Sequence, residues 1–256
     1  MATSQKNPIA LITGGSRGLG RSMALHLAAH GVDIIFTYRA AQSEANDVRD
    51  RIQALGRKGV ALPLDVVDFA SFGAFGETVA AELQRTFGRT QFDYLVNNAG
   101  TGLHASIAET TAAQLDEVYN VHFKAPFLLT QRLLPLIVDG GRIVNISSGL
   151  ARMTLPGSSA YGAMKAAVET LTRYMAKELG ERKITANVIA PGAIETDFSG
   201  GMVRDNPEVN KRVASMTALG RVGQPDDVGG AVAMLLAPES GWINAQRIEV
   251  SGGMGL

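Results

Sequence analysis

No cysteine occurs anywhere in the chain. This excludes disulfides, thiolate nucleophiles and cysteine metal sites, leaves the fold to rest on its apolar core, and suits a reducing compartment. Net charge is missing as well: 24 Lys and Arg stand against 24 Asp and Glu. There is then no overall field to hold nucleic acid or an anionic membrane. Long hydrophobic runs are also absent. The polar stretch Met1–Pro8 leads into an apolar run that stops at Gly14, shorter than a signal core or a membrane span. The expectation is a soluble, cytoplasmic protein without nucleic-acid or membrane partners. His26, His30, His104 and His122 show no metal-ligand spacing, so no metal is expected. His104 either points into a pocket or is a plain loop residue, and His122 reads as packing.

What is present is 46% hydrophobic side chains in 256 residues, enough for one core and one domain over 1–256. Short branched-apolar runs alternate with stretches of helical period. Strands are predicted at Ile9–Ile12, Val32–Thr37, Val60–Leu64, Tyr94–Val96, Arg142–Ile146, Thr185–Ile189 and Arg247–Val250. Helices are predicted around Arg21–Ala29, Ser43–Leu55, Phe75–Phe87, Ala112–Leu136, Tyr161–Leu179 and Asp226–Leu236. Connections of that length give an α/β fold: a doubly wound, seven-stranded parallel sheet with helices on both faces. Ligands of such sheets sit beyond the carboxyl ends of the strands. The stretch 195–222 breaks the rhythm, and a loop that long reads as a substrate lid.

After the first strand, T-G-G-S-R-G-L-G (Thr13–Gly20) runs into a helix. Glycine lets a backbone approach a pyrophosphate, and the helix start supplies N–H groups and partial positive charge. A tight turn without a ligand would also use these glycines. A P-loop would need lysine where Arg21 stands, which argues against nucleoside-triphosphate hydrolysis. The second strand ends T-Y-R-A, with Arg39 where an acidic residue would bind an unphosphorylated ribose. Arg39 and Arg17 together suit a 2′-phosphate, although either alone reads equally as a solvated charge.

In Y-G-A-M-K, Tyr161 and Lys165 are four apart and share a helix face, with Cβ atoms about 6 Å apart. At that distance, and with an effective dielectric of about 20, the lysine charge favours phenolate by nearly 3 kcal/mol, or about two pKa units. Ser148, at a strand end in N-I-S-S-G, can hold a carbonyl oxygen or simply cap a loop. Neither Ser147 nor Ser148 lies in a G-x-S-x-G elbow, which disfavours a hydrolase triad.

On these motifs, with N-N-A-G at Asn97–Gly100, Asp65-Val66, Asn120 and Pro191-Gly192 in the same order, the chain resembles the short-chain dehydrogenase/reductases over nearly its whole length. Its N-N-A-G, P-G-A-I-E-T and S-G-G segments resemble the 3-oxoacyl-acyl-carrier-protein reductase branch. The resemblance implies a Rossmann fold that binds NADP(H) through Gly14, Ser16, Arg17, Gly18, Leu19, Gly20, Tyr38, Arg39, Asp65, Val66, Asn98, Ala99, Gly100, Tyr161, Lys165, Pro191, Gly192, Ile194 and Thr196. It implies Tyr161 as general acid, Ser148 orienting the carbonyl, Lys165 on the nicotinamide ribose and Asn120 holding a water in the proton path. The implied substrate is a small-molecule or acyl-thioester carbonyl, and the implied assembly a homotetramer or dimer. Asn244-Ala245 and Ser251 depart from the family's usual residues near a surface it often uses for assembly. The competing reading is a catalytically silent NADP(H)-binding sensor or scaffold.

Overall fold

A computed structural model describes residues 7–256; the reading of Met1–Lys6 lies outside the described residues. The elements run β1 (Ile9–Ile12), α1 (Gly18–Ala29), β2 (Asp33–Tyr38), α2 (Gln42–Ala54), β3 (Gly59–Pro63), α3 (Phe72–Glu82), β4 (Phe92–Asn97), α4 (Ala112–Tyr119) and α5 (Ala125–Leu133). They continue with β5 (Ile137–Ile146), α6 (Ser159–Glu178), β6 (Thr185–Pro191), α7 (Met202–Asp205), α8 (Pro207–Ser215), α9 (Pro225–Leu236) and β7 (Arg247–Val250). All strands are parallel in the order β3-β2-β1-β4-β5-β6-β7. The order reverses direction between β1 and β4, which opens a crevice at their carboxyl ends.

Alternation along β1 shows how the sheet divides its side chains. Ile9 and Leu11 join the cluster formed with Val79 of α3, Leu129 and Leu133 of α5, and Val168 and Leu171 of α6. Ala10 and Ile12 join the opposite cluster, with Met23 and Leu27 of α1, Val48 of α2 and Val228 and Val232 of α9. Period-2 alternation thus feeds two helix layers, and each fully buried Leu or Ile contributes about 1.5–3 kcal/mol. Among the described residues, no helix is long and apolar enough to cross a membrane.

Two departures from the sequence pattern matter for the site. The expected Ala112–Leu136 helix is interrupted by a π-turn at Asn120–Lys124, between α4 and α5. The 195–222 stretch, read from the sequence as a loop, contains two short helices, α7 and α8; Asn206 starts α8 by accepting from the N–H groups of Glu208 and Val209.

Candidate active site

The glycine turn is stitched to both neighbouring strands. Gly14 N–H donates to Thr37 Oγ1 (3.1 Å) and Gly15 N–H to the Thr37 carbonyl (2.8 Å). On the other side, Asn98 Nδ2 donates to the carbonyls of Thr13 (2.8 Å) and Gly14 (3.1 Å), while Thr13 Oγ1 accepts from the N–H groups of Asn98 and Ala99. The Asn98 amide therefore holds the turn in place. Gly14 has φ +67°, and a Cβ on Gly20 would lie 2.1 Å from the Gly14 carbonyl oxygen, so both positions require glycine.

The first turn of α1 has no side-chain cap and no acidic residue. Its N–H groups and the glycine cradle fit a nucleotide pyrophosphate. Ser16 is buried in this turn and Leu19 packs on the core, while Arg17 is exposed. Arg39, also exposed, follows Tyr38 at the end of β2. Among the described residues, neither Arg17 nor Arg39 makes an ion pair. Two unpaired guanidinium groups beyond adjacent strand ends suit a phosphate monoester better than a diol.

Asp65 and Val66 follow β3; the Asp65 carboxylate accepts from the N–H of Val67 at 3.1 Å, and Val66 is half-buried beside Thr13 and Ala99. Gly192, after β6, donates to the Val250 carbonyl (3.0 Å), and Ile194 pairs with Gly223. Thr196 comes back to the glycine turn, within 3.7 Å of where a Gly18 Cβ would stand.

On α6, Tyr161 and Lys165 face the end of β5. Lys165 is 5% exposed and donates from Nζ to the Ile146 carbonyl at 2.8 Å, with Nζ 5.5 Å from the Tyr161 ring centre. The two side chains meet on one face of α6, as their spacing predicts, but the electrostatic outcome differs. Burial pushes the Tyr161 phenol above its ordinary value, with the adjacent Ser148 hydroxyl pulling the other way, and burial also lowers Lys165 to about 7. Desolvation outweighs the pairwise attraction because both groups leave water, and the Coulomb argument from spacing omitted that cost. Ser148 is extended (φ −159°, ψ 152°), and its Oγ accepts from the N–H of Leu150 at 3.2 Å.

From the α4–α5 segment, His122 packs against Tyr161, in keeping with its reading as a packing residue. The two rings lie edge to face with centres 5.0 Å apart. His122 Nε2–H donates to the Thr101 carbonyl (2.8 Å), leaving buried Nδ1 without a partner among the described residues. No side-chain hydrogen bond joins Asn120 to Ser148, Tyr161 or Lys165 among the described residues. The π-turn is the cause: its extra residue turns His122 inward and leaves Asn120 at the half-buried margin. Phe198, in the 195–222 stretch, also reaches Tyr161, with ring centres 5.9 Å apart. His104 is exposed and covers Gly157, where a Cβ would stand 2.4 Å from its ring.

Beneath the site, Asn97 Nδ2 donates to Thr130 Oγ1 (3.0 Å) and Asn145 Oδ1 (2.8 Å), and Asn145 Nδ2 donates to Thr172 Oγ1 (2.8 Å). This buried polar ladder ties β4 and β5 to α5 and α6. Asn145 carried no functional signal in the sequence, since one asparagine before a strand end reads like any other.

Comparison with known proteins agrees with this arrangement. The family profile described as enoyl-(acyl carrier protein) reductase matches residues 14–255. Hydroxynaphthalene reductase-like protein Arp2 of Metarhizium brunneum is 36% identical, covering 99% of each chain. Among solved structures, the promiscuous reductase LugOII, described as catalysing keto-reduction at C1 during lugdunomycin biosynthesis, superposes with a TM-score of 0.92 at 38% identity over 99% of this chain and 100% of that one. A short-chain dehydrogenase from Burkholderia cenocepacia in complex with NADP gives 0.87 at 35% identity over 97% and 98%. Matched end to end in sequence and in fold, this chain belongs to the short-chain dehydrogenase/reductase family.

Proposed function

We propose that the chain reduces the carbonyl of a small organic ketone to an alcohol, using NADPH. The observation that carries this reading is the convergence, at the carboxyl ends of β1, β4 and β5, of an uncapped glycine cradle with Tyr161, Ser148 and Lys165. The NADP-bound relative supports the choice of cofactor, as do unpaired Arg17 and Arg39 for its 2′-phosphate. Gly14, Gly18, Gly20 and the first turn of α1 hold the pyrophosphate, Asp65 and Val66 meet the adenine, and Ile194 and Thr196 hold the carboxamide. Bound NADPH supplies the hydride.

The rest of the chemistry belongs to the protein. Ser148 donates a hydrogen bond to the carbonyl oxygen and fixes its direction. Tyr161 gives its proton to that oxygen as negative charge develops there, which keeps a full alkoxide from forming in a buried site. Lys165 helps hold the ribose, and its charge favours the phenolate that remains. His122 braces the Tyr161 ring from the side.

Residues 195–222 act as the substrate cover. Their base is closed by Glu195 N–H donating to Gly223 (3.0 Å) and by the Glu195 carboxylate accepting from Asn210 (2.6 Å) and Gln224 (2.5 Å). The substrate class favoured is a cyclic aromatic ketone. Phe198 and Tyr161 form an aromatic wall, and Arg204, the arginine within the cover's first short helix, is already paired with Asp197 and Asp205. The names of the hydroxynaphthalene and tetrahydroxynaphthalene reductases among the relatives, and the keto-reduction in the LugOII description, support the same class. A 3-oxoacyl thioester is the next reading. Exposed Tyr119, Phe127 and Tyr174 on one side and Trp242 and Met234 on another support a homo-oligomer, testable by light scattering.

A panel of aromatic cyclic ketones, quinones and acetoacetyl thioesters, followed by NADPH oxidation, tests the function. Cyclic aromatic ketones should turn over fastest. A preference for thioesters would overturn the substrate class, and NADPH binding without turnover of any carbonyl would favour a sensor.

A further inference from the structure

The last strand carries an ion network that reaches the active-site serine. Arg247 and Glu249 are two apart on β7, so their side chains leave the same face of this edge strand. Arg247 Nε donates to Glu169 Oε1 at 2.7 Å, Nη1 to Glu249 Oε2 at 3.0 Å and Nη2 to the Ser148 carbonyl at 3.3 Å. Glu169 lies one helical turn beyond Lys165 on α6, and its carboxylate also accepts from Ser147 Oγ at 2.6 Å. Glu249 further pairs with Arg152 (3.1 Å), beyond the serine on the same loop.

The placement is economical in its consequences. One guanidinium ties the helix bearing Tyr161 and Lys165 to the backbone of Ser148, which comes from a different strand. The Arg247, Glu169 and Glu249 side chains are 21%, 13% and 18% exposed, so solvent screens the network far less than a surface pair. An arginine is suited to three acceptors at once because its fork is planar and fixed; a lysine would serve them only in part.

We propose that Arg247, held by Glu169 and Glu249, is a positioning residue for catalysis: it sets the distance between the Ser148 hydroxyl and the Tyr161 phenol. The inference rests on the proposed roles of Ser148 and Tyr161. A displacement of about 1 Å between reacting groups costs roughly a hundredfold in rate. Arg247 touches neither the expected cofactor contacts nor the substrate wall, so its loss acts on kcat and spares the NADPH dissociation constant.

The test compares Arg247→Gln, Arg247→Lys and Glu249→Gln with wild type and Ser148→Ala in the full chain, measuring kcat, KM for ketone and NADPH binding by fluorescence. Arg247→Gln should lose about ten- to a hundredfold in kcat with NADPH affinity within about threefold of wild type. Arg247→Lys should recover part of the loss. Glu249→Gln, which leaves the Arg247–Glu169 pair intact, gives a milder loss of the same kind and reads the effect if Arg247→Gln does not fold. If Ser148→Ala is inactive while Arg247→Gln and Glu249→Gln keep wild-type kcat, the positioning role is wrong and the proposed function survives. If Ser148→Ala itself stays active, the reading of the site fails first.

Discussion

Acidification should destabilise this protein through one histidine. His122 is buried, and desolvation together with the nearby Lys165 charge lowers its pKa from 6.5 to about 3, against a smaller opposing contribution from the Thr101 carbonyl. The groups facing it are Tyr161 and Lys165. Below pH 6 the phenol is neutral, and Lys165, at about 7 in the fold, is charged in both folded and unfolded chains. Between pH 6.5 and about 3 the unfolded chain binds a proton at His122 that the folded chain refuses, so stability falls as pH falls through that window. From pH 6.5 to 4 this amounts to two and a half pH units at about 1.4 kcal/mol each, or about 3.5 kcal/mol. The perturbation is His122→Gln, whose amide can still donate to Thr101 but does not titrate. Urea unfolding of both proteins at pH 7 and pH 4 isolates the contribution, because carboxylate titrations are common to both. Wild type should lose about 3.5 kcal/mol more than the variant. Equal losses, within about 0.5 kcal/mol, would refute the placement of a neutral histidine beside Tyr161.

Other consequences are as specific. Arg39→Asp should reduce kcat/KM with NADPH by about ten- to a hundredfold and spare NADH, since it replaces a charge-assisted partner with a repelling one; an unchanged NADPH:NADH ratio would remove Arg39 from the phosphate site. Asn145→Ala breaks the ladder under the site at a residue with 0% exposure and should cost about 2–4 kcal/mol in urea unfolding; a loss below about 1 kcal/mol would mean that the buried amide contributes little net. Gly20→Ala would press a methyl against the Gly14 carbonyl and the Asn98 amide, and should weaken NADPH binding by at least about tenfold and lower stability by about 1–3 kcal/mol. Wild-type titration with NADPH would show the turn to be more pliant than drawn.

Most of the fold was legible because the sheet writes itself in short apolar runs. β1 and β7 begin and end where the sequence pattern places them, and the parallel pairing follows from the length of the connections between strands. β5 begins at Ile137, five residues earlier than expected, because its first part runs through Asp139, Gly140 and Gly141, which carry no apolar period. The helix through 112–136 was legible as helix but not as one interrupted by a π-turn. A single inserted residue leaves the 3.6-residue pattern readable on both sides while rotating everything between, which is why His122 was legible as packing but its contact with Tyr161 was not. Tyr161 and Lys165 were legible as a pair, being one turn apart. Their ionisation was not, since it depends on burial by residues distant in sequence. Arg247 lies 78 residues from Glu169 and 99 from Ser148, and no local pattern announces such a contact.

The central claim is that the Tyr161 phenol delivers the proton during carbonyl reduction, and single-turnover reduction of a cyclic aromatic ketone by Tyr161→Phe preloaded with NADPH tests it most directly. The account predicts a rate at least about a hundredfold below wild type with NADPH affinity preserved. A variant that keeps most of the wild-type rate would contradict it.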